Sequence, residues 1–337
     1  MRKRVTLKDL AARTGLSISA VSQVLNNNPN SFTSENTRKR VLQLAEEMGY
    51  TSNYAYKLLR GKTMNTAAIM LSLENSDDHI RDLLLLLLRR FDDQGIVVSS
   101  NAFSPNAEQN IRKVHELISR GVEKFVFIGS PFGNHEIELL LVKNGLPFVS
   151  TSPYFSRCVR WSVEQGMAEL FAYLRRKIGE SFRLAVWRSE LDRSNYRLEA
   201  LAKEFPELSR EELLAKHTVA FDDFAPPLTE RDHDSLIRAG ELLTAGLHER
   251  HPETRGLCFA NDYYALGAAK VALQKKLVIG RDLFLTGFGD TLAVRCHTSP
   301  ISSIALDLKK VAQALLDGLE MTTDFQWDIE VEAKIRE

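Results

Sequence analysis

Only three cysteines occur in the 337 residues, Cys158, Cys258 and Cys296, and no two form a CxxC pair. That spacing excludes a disulfide framework and a cysteine zinc site, and it suits a reducing compartment. Long apolar runs are missing too. The longest, "LLLLLL" at 83–88, is far short of the roughly 20 residues that span a bilayer, and Arg81, Asp82, Arg89 and Arg90 flank it. It reads as a buried helix. The opening "MRKRVTLKDLAARTG" begins basic, but Lys8, Asp9 and Arg13 break any apolar stretch that a signal peptide needs. A soluble, cytoplasmic protein with no membrane partner is expected. Catalytic signatures are equally scarce, with no G-x-S-x-G, no H-E-x-x-H and no phosphate loop. His248 and His251 are spaced as HxxH, but beside Pro252 and without a third ligand they read as a solvated helix end. No enzyme, cofactor or metal site is expected.

Net charge is zero, with 44 basic and 44 acidic residues, yet the charges are not evenly spread. Residues 1–62 hold 11 Lys and Arg against 4 Asp and Glu, a net +7 that leaves −7 on the remainder. A basic head on an acidic body points to a polyanion partner for the head.

The head has the punctuation of three short helices. Thr6 to Asp9 fits a capping box, with Leu7, Leu10 and Ala11 following at helical spacing. Gly15 supplies a turn, and Ser17 caps a second helix running to about Asn26. After the loop "NNNPNS", Thr33 or Ser34 caps a third helix, striped by Val41, Leu44, Ala45 and Met48 and stopped at Gly49. This is helix-turn-helix architecture. On the second helix Val21, Val24 and Leu25 share one face, while Ile18, Ser19, Ser22 and Gln23 line another. Small polar groups beside a bare isoleucine suit a helix seated in the major groove, where hydroxyls reach base edges and Ile18 meets a thymine methyl. The bland alternatives are a small protein-binding module, with Ile18 an ordinary core residue.

The stretch "TLKDLAARTGLSISAVSQVLNNN…TSENTRKRVLQLAEEMGYTSNYAYKLLRGKT" resembles the head of the lactose-repressor/galactose-repressor family of bacterial transcription regulators. The resemblance continues in "CFANDYYALGAAKVALQ" (258–274), "FLTGFGD" (284–290) and the closing "IEVEAKIRE" (329–337). It implies double-stranded operator DNA as partner. The contact set on the head is Thr6, Leu7, Ser17, Ile18, Ser19, Ser22, Gln23 and Asn26. Relatives usually carry arginine at Gln23; arginine favours guanine, whereas glutamine suits adenine. The resemblance also implies a hinge helix from Asn53 to about Arg60, ordered when two subunits meet on DNA. Eight residues are too few for a stable isolated helix, in keeping with folding on binding. There Leu59 matches a leucine that wedges into the minor groove, Arg60 is placed for that groove or a phosphate, and Tyr56 stands where small residues are usual.

From residue 66 the pattern becomes strand–helix alternation, with β-rich runs at 67–73, 95–100, 124–130, 146–151, 182–187, 217–221, 256–261 and 283–288. This pace predicts two doubly wound parallel-sheet lobes, an α/β body behind an all-α helix-turn-helix head. The expected domains are 1–52 (head), 53–65 (hinge helix and linker) and 66–337 (effector-binding and dimerisation). The resemblance implies periplasmic-binding-protein-like lobes joined by three crossovers, placed near 178–182, 289–293 and 321–325. That gives one lobe of 66–180 and 292–322, and another of 181–291 and 323–337. Ligands in such sheets bind beyond the carboxyl ends of the strands, where Ser72, Ser130, Ser152, Ser189 and Glu190 stand.

By resemblance, Arg197 grips ligand hydroxyls or a carboxylate, Asn261 and Asp290 bind ligand, and Phe224 covers its face. Several positions depart from the family. Gly289 replaces an aspartate, Val163 falls where an Asp-Asn pair is usual, Leu306 replaces a polar residue, and "DDHI" (77–80) replaces an "NPFF"-like stretch. The expectation is a homodimeric regulator, a repressor on a near-palindromic operator, with a sugar or sugar-derived effector. An acidic sugar is as acceptable as a neutral one. The alternatives are a regulator with a degenerate cleft and no effector, a sugar-processing enzyme, or a solute-binding protein, which would need a signal peptide and no such head.

Overall fold

A computed structural model describes residues 5–25, 33–50, 65–71, 78–191, 196–228 and 232–337. The chain separates into two compact units, Met1–Met64 and Asn65–Glu337.

The described part of the first unit is three helices, α1 (Leu7–Thr14), α2 (Ile18–Leu25) and α3 (Glu35–Glu47). Thr6 and Asp9 form the reciprocal capping box at α1, and Gly15 ends that helix at φ 73°, a left-handed conformation that suits glycine. Ser17 Oγ accepts from the Ala20 amide at 3.1 Å, and Ser34 caps α3. Leu10, Ala11, Val21, Val24, Val41 and Ala45 close a small core.

The second unit holds two six-stranded sheets. The first runs β11 (Phe325–Glu330), β5 (Arg157–Ser162), β4 (Phe148–Ser150), β3 (Lys124–Ile128), β1 (Thr66–Leu71), β2 (Val97–Ala102), all parallel. Every residue of β1 is buried. The period-two pleat explains why: Ala67, Ile69 and Leu71 face one layer, with Leu83, Leu87, Phe91 and Leu315, while Ala68 and Met70 face another, with Val114, Leu117 and Ile137. The six-leucine run lies in the helix Asp78–Asp93 and buries Leu83, Leu87 and Phe91 at i, i+4, i+8. Among the described residues no helix is long and apolar enough to cross a membrane.

The second sheet runs β12 (Glu332–Lys334), β10 (Ile301–Ala305), β9 (Phe284–Phe288), β8 (Gly256–Cys258), β6 (Phe182–Val186), β7 (Thr218–Ala220). It is parallel except for β12, which pairs antiparallel with β10. Four strands, β5, β10, β11 and β12, were not anticipated from the apolar runs.

All three crossovers fall elsewhere than expected. Helix Glu164–Ile178 packs its Met167, Leu170, Phe171 and Leu174 with Phe182 and Leu184 of the second lobe, so the first crossing is at Val163, not near 178–182. Strand β10 still belongs to the second sheet, while helix Leu308–Leu319 covers the first, so the second crossing is at 306–307 instead of 289–293. The third is at Val331, between β11 and β12, instead of 321–325. The first lobe is thus 65–162 and 308–330, and the second 164–305 and 332–337. Alternation marks strands and helices, but which sheet a helix covers is decided by packing alone.

Candidate nucleic-acid interface and ligand cleft

On the head, α2 follows its Ser17 cap with Ile18 46% exposed and Ser19 also exposed, and Gln23 half-buried on the same helix. Lys8, Arg13, Lys39 and Arg40 are exposed on the same head. Ser22 departs from the expectation: it is 2% exposed, so its hydroxyl does not join that face. It is adjacent on the helix to the Val21–Leu25 stripe, and the buried arc is wider than the three apolar residues alone. Thr6 is exposed but engaged with Asp9, its hydroxyl 2.6 Å from Oδ2, and Leu7 packs against the head core. Asn26, Tyr56, Leu59 and Arg60 lie outside the described residues.

In the body, the sequence-expected ligand residues fall mostly at strand ends but are strongly engaged with their own lobes. Ser72 lies outside the described residues. Ser130 pairs its hydroxyl with Ser152 at 2.5 Å, and Ser189 is exposed on the short helix Arg188–Leu191. Beyond β6, the Arg197 side chain is 6% exposed and holds Glu190 at 2.9 Å. Glu190 in turn accepts from the Trp187 amide. Asn261 follows β8 and caps helix Asp262–Gln274, its Oδ1 accepting from the Tyr263 amide at 2.8 Å.

Two more of these residues are engaged within their own lobe. The Arg250 guanidinium lies over the Phe224 ring at 4.7 Å, and a Cβ at Gly246 would come within 2.4 Å of the ring's edge. The ring is packed on helix His233–Arg250 of its own lobe, because a glycine there leaves room for it. Asp290, expected as a ligand contact, has its carboxylate paired with Arg336 and its amide on Ser303. It sits at φ 46°, a strained value for a non-glycine residue.

Behind Asp290 is a group that the sequence reading passed over. Asp262 is fully buried, and its two carboxylate oxygens accept from Ser303 Oγ and the Thr291 amide, both at 2.6 Å. Burial pushes its carboxyl above the usual range, against the pull of those hydrogen bonds. Burial also pushes the Cys258 thiol up to about 12, so it is inert.

The lobes meet around the first turn of helix Asp78–Asp93. His79 lies edge-on to Trp161 of the first lobe and to Phe288 of the second, with ring centroids 6.0 and 6.3 Å away. Tyr196 approaches Phe288 from the second lobe at 6.4 Å. Asp78 accepts from the Tyr263 hydroxyl at 2.7 Å. The "DDHI" departure was visible in the sequence, but nothing local shows that its side chains cross to the other lobe. Among the described residues no group of three or more His, Cys, Asp or Glu could hold a metal.

Residues 6–53 match the family described as bacterial regulatory proteins, lacI family, and residues 186–323 match the periplasmic binding protein-like domain. The chain is 24% identical to the lactose operon repressor of Escherichia coli, over 94% of this chain and 84% of that protein. It is 22% identical to catabolite control protein A of Staphylococcus epidermidis, over 97% and 94%. Among solved structures, the Lac repressor dimer bound to operator and the anti-inducer ONPF matches with a TM-score of 0.75 at 22% identity, covering 99% of this chain and 98% of that one. A complex of the transcriptional regulator CelR with cellobiose matches at 0.60 and 18%, covering 99% of each.

Proposed function

We propose, for a chain that belongs to the LacI family of bacterial regulatory proteins and is a DNA-binding transcriptional regulator, that it acts as a homodimeric repressor in the cytoplasm. Each head lays α2 in a major groove of a near-palindromic operator. Ile18, Ser19 and Gln23 read base edges, and Ser17 and Thr6 sit near the backbone. Leu59, with Tyr56 and Arg60, opens the minor groove between the two heads. The observation that carries this reading is the capped α2, which buries Val21 and Val24 and turns Ile18 and Ser19 outward on a basic head. Selection from a randomised duplex library with the full chain tests it. A two-fold symmetric consensus is expected, and log affinity for it should fall linearly with log salt, at a slope of about −0.9 per phosphate neutralised. Recovery of no sequence, or affinity indifferent to salt, would overturn the reading.

The body would bind a small, sugar-like effector between the lobes, with Arg197 and Asn261 as its polar contacts, Ser130 and Ser189 at the rim, and no catalysis. The CelR–cellobiose likeness supports a sugar, and the ligand's differential affinity for two lobe arrangements would set the direction of the response. A second reading, a regulator whose cleft takes no effector, is favoured by one observation: the Asp290 carboxylate is already paired with Arg336. A thermal-shift screen of neutral sugars, sugar acids and sugar phosphates separates the two. A stabilising compound whose effect on operator affinity matches its thermal shift supports the first, and none across the panel supports the second.

A further inference from the structure

Asp78 opens the first helix of the first lobe's body, yet its carboxylate is engaged by the second lobe. The Tyr263 hydroxyl, 185 residues along the chain, donates to Oδ2 at 2.7 Å, and His233 Nε2 lies 3.3 Å from Oδ1. The Tyr263 and His233 rings stack 3.9 Å apart and only 10° from parallel, so the two side chains form one plate. On the near side Arg81 holds Oδ1 at 2.9 Å. The site is sheltered, with the Asp78 side chain 12% exposed. Next to it His79 packs between Trp161 and Phe288, one from each lobe.

We propose that Asp78, Tyr263 and His233 form a latch that holds the two lobes closed with no effector bound. A hydrogen bond to a charged, sheltered acceptor is among the stronger single contacts a protein makes. Here it joins two bodies that are also linked by three crossovers and by the His79 contact, so its strength adds directly to the closed side of the opening equilibrium. Arg81 pairs with the carboxylate from its own helix, and the His233 ring stacked on Tyr263 pre-orients the donating hydroxyl. An effector must then act against a closed resting state, not create one. This goes beyond the regulator reading and stands on the body alone.

The test measures the distance between spin labels at Glu136→Cys in the first lobe and Lys216→Cys in the second, both exposed positions. Cys296→Ser removes the exposed native thiol, since Cys158 and Cys258 are buried. Diluted with excess unlabelled chain so that only the distance within one protomer is read, the otherwise unaltered full chain should give a single closed distance without ligand. Tyr263→Phe keeps the ring stacked on His233 and removes only the donor, so it preserves the fold. It should raise the open fraction roughly tenfold. Asp78→Ala should do the same, and the double variant should add little to either. An open parent, or closed distances unmoved by Tyr263→Phe, would overturn the latch.

Discussion

Ser303 donates its hydroxyl to Asp262 at 2.6 Å, across 41 residues of chain and with neither side chain open to water. The same serine oxygen accepts from the Asp290 amide, and the other Asp262 oxygen takes the Thr291 amide. One carboxylate therefore sets the turn that follows β9. Asp262→Ala leaves Ser303 and Thr291 without their acceptor inside the protein, at about 1–3 kcal/mol for each group. The expected result is a marked drop in the denaturation midpoint. A midpoint within the error of the parent would mean that water takes over both donors.

His217 supplies a pH dependence. It is 1% exposed, stacked on Phe205 at 4.0 Å, and burial holds its imidazole below the usual range despite the Phe182 carbonyl 3.3 Å away. The unfolded chain takes up a proton from about pH 6.5 downward, while the folded chain resists it. The unfolded state then binds more protons, so stability is full above that pH and falls as pH drops through the depressed folded value. Asp262 works in the opposite sense. Its raised folded value makes stability fall as pH rises from about 4. His217→Leu should therefore flatten the acid-side slope relative to the parent in chemical denaturation at pH 7, 6 and 5. Parallel slopes would show that His217 protonates without cost.

The head was legible because its signals are local. A cap, a glycine turn and an i, i+3, i+4 stripe each act within one helix, and they place Thr6, Gly15, Ser17 and Val21 where the structure has them. The lobes were legible as a class, since β1 and its neighbours carry the alternation of a twice-covered sheet. The crossovers were not. Val163, Leu306 and Val331 are ordinary apolar residues, and only the packing of the following helix or strand decides which sheet owns them. The same holds for the cleft. Asp290 reads as an available acid until Arg336 closes on it, and Asp78 gives no local sign of Tyr263. Ser22 marks the limit even in the head, where a polar residue at the edge of a stripe is buried by its neighbours.

Gln23 should specify a base. Its position on α2 suits an amide that pairs with adenine N6 and N7, whereas arginine pairs with guanine O6 and N7. Gln23→Arg is expected to move the preference at one position of each half-site from adenine to guanine, by ~1–3 kcal/mol. Selection on a randomised operator library reads this directly. An unchanged preference at every position would remove Gln23 from the base-reading set.

Arg197 is the sharpest test of the cleft, because a structural role and the proposed ligand role can be separated. The guanidinium is buried against Glu190, and a hydrogen bond between charged groups of this kind is worth about 2 kcal/mol. Arg197→Ala alone strands Glu190, so lost binding could reflect a disturbed fold. Arg197→Ala with Glu190→Gln removes the stranded charge and should recover part of the melting temperature. Arg197→Lys keeps the charge but loses the planar fork that grips a carboxylate or paired hydroxyls. If the fork holds the effector, the double variant should show no binding by isothermal titration and the lysine variant should bind at least tenfold more weakly, using whichever sugar, sugar acid or sugar phosphate stabilises the parent most. Operator affinity without ligand should stay unchanged in both. A double variant that binds that compound as the parent does would confine Arg197 to its pair with Glu190.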